Sequence, residues 1–428
     1  DFGLHARFLL ARAHQLAEER PEALGQFQAV LDGYEKRKAQ AVEALKQQNL
    51  PAGRRAALTA LAQGPAGDYV IRAQFHLAQL TAEMGKYAEA AQAFGAFAQK
   101  YANNPLVPEA QLRLAWCQIQ QRSFNEAIGL LGNLAKNPDL ADQATWWLAK
   151  AKVQAADPAN AQAYAAALAE AIGLLRRAAE NAAGKAATDP AAKDRRGEIL
   201  MELADTQQLA RQYKEAAETY QLVIQDPANA ARIEEASQRQ TVALHLAGMY
   251  QQSDDACRRF EASFPRSTLL PAVWFRAAEN AFFVAKAAAD NPNLPDRVNQ
   301  LRRLYGEAVG RYEQVIRQSP DFQYVNLARY ALATIHYRQQ RYQEAVSSLS
   351  AVPDADRTGE LAAVNYLMGD CLLRTLPADV DDAVGVARMV AQAQQASKLL
   401  EAFVGAAGTS PKAPETPDAL LKLGWCYQ

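Results

Sequence analysis

Gly85-Lys86-Tyr87-Ala88-Glu89-Ala90 is the stretch whose reading decides the architecture. A glycine suited to a tight turn is followed by an aromatic, a glutamate and an alanine spaced along one turn of helix. The core pattern, aromatic-x-Glu-Ala, returns at Phe124-Asn125-Glu126-Ala127, Tyr213-Lys214-Glu215-Ala216, Tyr305-Gly306-Glu307-Ala308 and Tyr342-Gln343-Glu344-Ala345. Arg20-Pro21-Glu22-Ala23 is a weaker copy and Ser253-Asp254-Asp255-Ala256 a degenerate one. Self-similarity on this scale predicts a solenoid of helix hairpins, in which each repeat touches only its neighbours.

Around each copy runs a longer frame. A Leu or Met precedes a small residue; the motif alanine follows twelve residues later, then an aromatic or Leu, then another apolar residue. The frame reads Leu77, Ala78, Ala90, Phe94, Phe97 and again Leu114, Ala115, Ala127, Leu131, Leu134. It recurs at Leu10, Ala11, Ala23, Phe27, Val30; at Leu203, Ala204, Ala216, Tyr220, Val223; and at Leu332, Ala333, Ala345, Leu349, Val352. Spacings of four and then three residues place one apolar stripe on a helix. The small residues let paired helices approach, and the large ones fill the space between hairpins. The motif alanines at 23, 90, 127, 171, 216, 256, 308, 345 and 396 give about nine helix pairs, followed by one unpaired helix from Ala419. No run alternates with period two, so strands are not expected. The fold class is all-α: an α-solenoid of antiparallel helix hairpins forming a superhelix.

The grouping that follows is 1–68, a first unit with a long insertion; 69–183, units two to four; 184–265, units five and six; 266–353, units seven and eight; and 354–428, unit nine with the first helix of a tenth. Insertions at 31–68, 181–195 and 405–417 lengthen the second helix or the passage after it; those at 155–163, 284–298 and 375–387 separate the two helices of a unit. The stretches 181–190 and 405–417 read as loops by their Gly and Pro content. Both ends of the chain read as interrupted repeats, so residues 1–428 are expected to be a segment of a longer protein.

The pattern Leu77-Ala78 … Gly85-Lys86-Tyr87-Ala88-Glu89-Ala90 … Phe94 resembles the tetratricopeptide repeat, and the resemblance covers nearly the whole chain. It departs from the family at Thr81, Gln118, Gln207 and His336, which stand where the family has Tyr, and at Arg122, Arg211 and Gln340, which replace Gly85. The resemblance implies that the first helices line a concave groove that binds protein or peptide. Carried over unit by unit, the groove candidates are Phe8, Arg12, Phe75, Gln79, Glu83, Trp116, Ile119, Trp146, Lys150, Asp205, Tyr330, Thr334, Tyr337, Arg338, Tyr366, Asp370 and Trp425. Trp and Tyr dominate interface energetics, which favours this set; Phe75, Trp146, Tyr330 and Tyr366 also suit the core between hairpins. The asparagines with which the family clamps a C-terminal carboxylate are missing, which disfavours that ligand.

A narrower resemblance runs from Phe94 to Cys117, where Tyr101, Pro105 and Pro108 punctuate the passage between hairpins, and again from Phe260 to Pro271. It is similar to repeat units of bacterial envelope proteins, the Tol–Pal-associated periplasmic protein and the lipoprotein of the outer-membrane assembly machine. It implies a bacterial, periplasmic or outer-membrane-associated location, with a cytoplasmic one as the alternative. The second proline of each passage fits the start of the next first helix.

Other chemistry finds little footing. The net charge of −1 sets nucleic acid aside as a partner, and no apolar run reaches the length of a membrane span, so membrane association would come through a region outside the segment. The recurrent glutamates 22, 89, 126, 215, 307 and 344 are expected in the first turn of each second helix, where the helix dipole favours a negative charge by about 0.3–1 kcal/mol. Cys117, Cys371 and Cys426 share one repeat position and read as packing residues. His14 and His336 fall on the position usually held by Tyr and also read as packing residues. There is no HExxH, CxxC, GxSxG or phosphate loop; no catalytic residue, metal ligand or cofactor is assigned. The expected function is a non-catalytic scaffold or adaptor for protein partners in an envelope assembly. Two alternatives stand beside it: the substrate-selecting arm of an enzyme, and a lattice or coat subunit.

Overall fold

The computed structural model describes residues 2–377, 382–407 and 413–427, which hold twenty α-helices and no strand. They fall in two compact units, Asp1–Arg211 and Gln212–Gln428.

The first unit contains α1 (Phe2–Leu16), α2 (Arg20–Ala44), α3 (Ala52–Gln63), α4 (Asp68–Glu83), α5 (Tyr87–Lys100), α6 (Val107–Gln120), α7 (Phe124–Leu134), α8 (Ala141–Ala155), α9 (Ala161–Lys185) and α10 (Pro190–Leu209). Each helix packs on the next, except that α2 carries α3 on one side and meets α4 directly. The second unit contains α11 (Tyr213–Gln225), α12 (Ile233–Leu246), α13 (Tyr250–Ser263), α14 (Leu270–Asp290), α15 (Arg297–Gln318), α16 (Val325–Arg338), α17 (Tyr342–Ser350), α18 (Val364–Arg374), α19 (Ala383–Ala407) and α20 (Thr416–Cys426). Here too each helix packs on its successor.

The alanine frame is the core. All nine motif alanines are at most 4 % exposed. The large residues that follow them, Phe27, Phe94, Leu131, Tyr220 and Leu349, are fully buried. Around α4, α5 and α6, Phe75, Phe94, Phe97 and Cys117 form one apolar cluster with Ala78, Ala90 and Ala110. The small position of unit nine is Gly369 on α18. A methyl group there would stand 2.9 Å from Leu400 Cγ of α19, so only glycine permits this approach.

Six of the hairpin turns share one backbone device. Gly85 has φ +79° and Gly248 φ +73°, but Glu18, Arg122, Arg211 and Gln340 adopt the same left-handed conformation at φ +58° to +63°. Where the device is complete, the next N–H bonds back to a carbonyl of the helix just ended: Lys86 to Thr81 (3.2 Å), Ser123 to Gln118 (2.8 Å), Met249 to Leu244 (2.9 Å) and Arg341 to His336 (2.9 Å). This is the Schellman closure, which satisfies the orphan carbonyls at a helix end. The sequence departures from Gly85 therefore change the residue and keep the turn. Pro108 and Pro271 sit in the first turn of α6 and α14, as their place in the passage between hairpins predicts.

Four expectations need correction. Residues 181–185 continue α9, so the loop read over 181–190 shrinks to 186–189, where Asp189 accepts from Ala191 N–H to start α10. Alanines outweigh the single Gly184 in that stretch, and alanine favours helix. The insertion 31–68 is a lengthened α2 plus a whole extra helix, α3. The insertion 284–298 is mostly helix: α14 runs to Asp290 and α15 starts at Arg297. Glu307, expected in a first turn, is therefore well inside α15, where it pairs with Arg311 at 2.6 Å instead of meeting the helix dipole. The insertion at 375–387 and the loop read at 405–417 fall partly outside the described residues.

The cysteines are free: Cys117, Cys257 and Cys371 are buried, and Cys426 is half-buried. Burial pushes the Cys117 thiol up to about 11 and the Cys257 thiol up to about 12, which suits packing and not reactivity. His336 is buried on α16, whereas His14 lies near the surface of α1 and pairs with Glu19 at 2.5 Å.

Candidate protein-interaction site

In the first unit the candidate positions lie on α1, α4, α6, α8 and α10. Phe8, Phe75 and Ile119 are buried and so leave the candidate surface. Phe75 packs edge-on against Phe94 and Phe97, each at 5.8 Å, as a core ring does. Arg12, Gln79, Trp116, Trp146, Lys150 and Asp205 are half-buried and Glu83 is exposed. Gln79 donates to Glu83 at 2.9 Å, and Trp116 meets the edge of Tyr87 at 5.3 Å. Two candidates come together: Lys150 stands over Trp146 (5.7 Å) and Trp147 (5.3 Å) and pairs with Glu202 of α10 at 3.1 Å. The Trp146 indole N–H is buried with no hydrogen-bond partner.

In the second unit Tyr337, Tyr366 and Asp370 converge with residues that sequence reasoning did not single out. Asp370 of α18 is 1 % exposed and accepts from Tyr337 of α16 at 2.5 Å and from Arg374 at 2.8 Å; Lys422 of α20 lies 2.8 Å away. Tyr366 donates to Asp418 at 2.6 Å, and Lys422 also contacts Asp418. Burial pushes the Asp370 carboxyl up, but the bonds from Lys422, Tyr337 and Arg374 outweigh it and hold the group below the usual carboxylate range. Its charge is consumed inside the fold, which removes Asp370 as a free ligand contact. Thr334 turns its hydroxyl to the Tyr330 carbonyl at 2.9 Å, while Arg338 and Trp425 are exposed.

Tyr330 borders a cavity of about 560 Å³ that reaches across three successive first helices, α12, α14 and α16. Phe275 of α14 stacks on Tyr324 at 5.9 Å, and Phe322 meets the Tyr324 ring edge-on at 5.4 Å. Below them Arg276 and Glu279 lie 2.6 Å apart. Burial pushes the Glu279 carboxyl up; Arg276 opposes this and Glu360, another wall residue, adds to it. Arg276 Nε is buried without a hydrogen-bond partner. An aromatic wall with a few convergent polar groups is what an anchoring side chain needs.

Phe275, Arg276 and Glu279 were missed because the motif is degenerate at Ser253–Ala256 and an insertion follows α14, which hid the frame of α12 and α14; Tyr324 was missed because it stands just before α16, outside the helix frame. The prolines carried the missing register. Glu279 stands eight residues after Pro271, as Trp116 stands eight after Pro108. Among the described residues no group of three metal-ligating side chains converges, and no helix is long and apolar enough to cross a membrane.

A family model described as tetratricopeptide repeat matches residues 75–145 and 300–360. No curated protein matches the chain. Among solved structures, a human IFIT1 dimer with m7Gppp-AAAA is 12 % identical, with 99 % of this chain and 89 % of that one covered at a TM-score of 0.36. A tetratricopeptide repeat protein from Parabacteroides merdae is 11 % identical, covering 84 % and 99 % at 0.33. Kinesin light chain TPR-like repeats of Podosopora anserina are 20 % identical, covering 46 % and 97 % at 0.34. Likenesses this distant carry nothing about ligand. The tetratricopeptide-repeat model thus matches two stretches of this chain, and the buried alanine frame carries the same hairpin packing beyond them.

Proposed function

We propose that this chain is a non-catalytic scaffold that holds a protein partner against its first helices, within an assembly of the bacterial cell envelope. The observation that carries the binding role is the aromatic cavity across α12, α14 and α16, where Phe275, Tyr324 and Tyr330 offer large, rigid contact area beside Arg276 and Glu279. Tetratricopeptide repeats support protein binding in general terms, and the aromatic wall of the cavity supports this face as the contact. The envelope location is supported by the Phe94–Cys117 passage and its echo at 260–271.

The test is affinity capture from cells that make the protein, followed by titration of the recovered partner. Tyr324→Ala and Tyr330→Ala should each weaken it by about tenfold or more, the scale of an aromatic hot spot, with helicity and melting retained. Unchanged affinity in both variants would remove the cavity as the contact. Fractionation of the producing cells addresses location separately: recovery in the cytoplasm alone would end the envelope reading and leave the binding reading intact.

A further inference from the structure

The repeats differ most where α14 and α15 outgrow their neighbours. The motif alanine is the fourth residue of α5 (Ala90) and the twelfth of α15 (Ala308). Eight added residues lengthen α15 by about 12 Å, roughly two turns. Those turns stand beside the closing turn of the next hairpin, 338–341, and a cavity of about 840 Å³ opens between them. Its walls carry Arg302 from the added turns and Arg338 and Arg341 from the closing turn, with no carboxylate among the lining residues.

All three arginines are exposed, and among the described residues none makes an ion pair. The Arg341 guanidinium donates to the side-chain carbonyl of Gln339. Arg338, at the C-terminal end of α16, gains from the helix dipole, but Arg302 lies toward the N-terminal end of α15, where a cation gains nothing from it. Helix stability therefore does not account for the cluster. On a chain of net charge −1, three unpaired guanidiniums around one cavity form a concentrated positive field. The rest of the lining is mixed: Val298, Leu301 and the buried Tyr305 form an apolar side, and Gln339 and Gln340 offer amides. A small inorganic anion would use the guanidiniums alone. A peptide with carboxylate side chains, an apolar neighbour and a backbone to bond would use the whole lining, and 840 Å³ lies within the range of about 300–1,000 Å³ found for ligand sites.

We propose that this cavity is a second interaction site, one that takes an acidic peptide segment of a partner protein through Arg302, Arg338 and Arg341. The site does not depend on the first-helix reading, since Arg302 and Arg341 lie outside that set.

The probe is a fluorescent, end-capped hexaglutamate peptide, titrated into the full chain and followed by anisotropy. Binding should weaken with salt, and Arg302→Glu with Arg341→Glu should lower affinity by about tenfold or more, while Arg302→Lys with Arg341→Lys keeps most of it. Arg54→Glu, an exposed reversal on α3, controls for net charge and should leave affinity within about twofold of the parent, the effect of a remote screened charge. Equal affinity in the parent and the double reversal, an equal loss from Arg54→Glu, or equal binding of capped hexaglutamine would each overturn the proposal. Full displacement of the peptide by inorganic phosphate at matched ionic strength would also overturn it, in favour of a small-anion site. Circular-dichroism melting separates lost binding from lost folding; if the double reversal unfolds, the single Arg302→Glu variant on the exposed added turn carries the test. Failure of the Tyr324 and Tyr330 variants to affect partner capture would leave this prediction standing.

Discussion

The seam between α4, α5 and α6 and the seam between α12, α13 and α14 hold the same hairpin arrangement by different chemistry. The first is apolar: Phe75, Phe94 and Phe97 interlock around Ala78, Ala90 and Ala110. The second is threaded by a directed chain of hydrogen bonds. His245 Nδ1 lies 2.7 Å from Asn280 Oδ1, Asn280 Nδ2 donates to Ser253 Oγ at 2.8 Å, and Ser253 Oγ donates to the Thr241 carbonyl at 2.8 Å. Because Asn280 offers its oxygen, His245 must donate from Nδ1, which fixes a neutral tautomer. All three side chains are buried. The degenerate repeat copy at Ser253–Ala256 is thus a second solution to the same packing problem, in which an orderly polar network replaces apolar fill.

The comparison can be broken at either seam. Phe94→Ala should have the largest effect, about 3–5 kcal/mol, because a fully buried ring leaves a cavity. Hydrogen exchange should show it as faster exchange confined to amides of α4–α6; uniform acceleration over the whole first unit would mean the seam is not local. Asn280→Ala should cost about 2–4 kcal/mol by stranding the buried His245 and Ser253 groups. Its loosening should map to α12–α14, and a milder effect than an exposed substitution would show that the network contributes no stability.

Acid should next load a histidine at each seam, His245 on α12 and His76 on α4. Burial, reinforced by the Arg276 charge, pushes His245 down from 6.5 to about 4, against the pull of Asn280. Between those values the unfolded chain holds a proton that the native site refuses. Stability is therefore full above about pH 6.5 and falls as pH drops toward 4, by up to about 3 kcal/mol for such a histidine. Denaturant melts at stepped pH should show that slope, and His245→Gln should remove part of it. His76, which burial and Arg12 also push down to about 4, and His336, which burial pushes down, carry a further share. A slope unchanged by His245→Gln would place the titration elsewhere. The smallest effect expected is a gain: Arg122→Gly relieves a left-handed residue at φ +63° and should stabilise by about 1 kcal/mol. A loss in thermal melting would show that the arginine side chain matters more than its backbone.

What could be read from sequence divides along physical lines. The alanine frame was legible because close helix approach excludes larger side chains wherever it occurs, so the same residue type recurs at the same spacing. The turns were legible at Gly85 and harder at Arg122, Arg211 and Gln340, since the backbone tolerates a left-handed residue that composition does not announce. Glu307 was misread because added helix is invisible to a motif that marks only where helices pair, and the stretch 181–185 because Gly184 and Pro190 suggested a loop where alanines continue the helix. The candidate surface was less legible still. Phe75, Ile119 and Asp370 carry side chains that suit a groove or a core equally well, and neighbours in space decided among them. Phe275 and Glu279 could have been found by counting from Pro271 as from Pro108.

The left-handed closing turn also bears on how the chain is made. Where the closure is complete, the turn is sealed by a bond between residues five apart, such as Ser123 to Gln118, so it asks nothing of distant sequence. A ribosome releases about 5–20 residues per second, whereas helix and turn formation takes about a microsecond. A hairpin closed in this way can therefore form and dock on its predecessor within seconds of emerging, and little of its apolar surface waits for sequence not yet synthesised. In such an array the order of synthesis serves as the order of folding, and a stalled or shortened message leaves a stack of finished hairpins behind it.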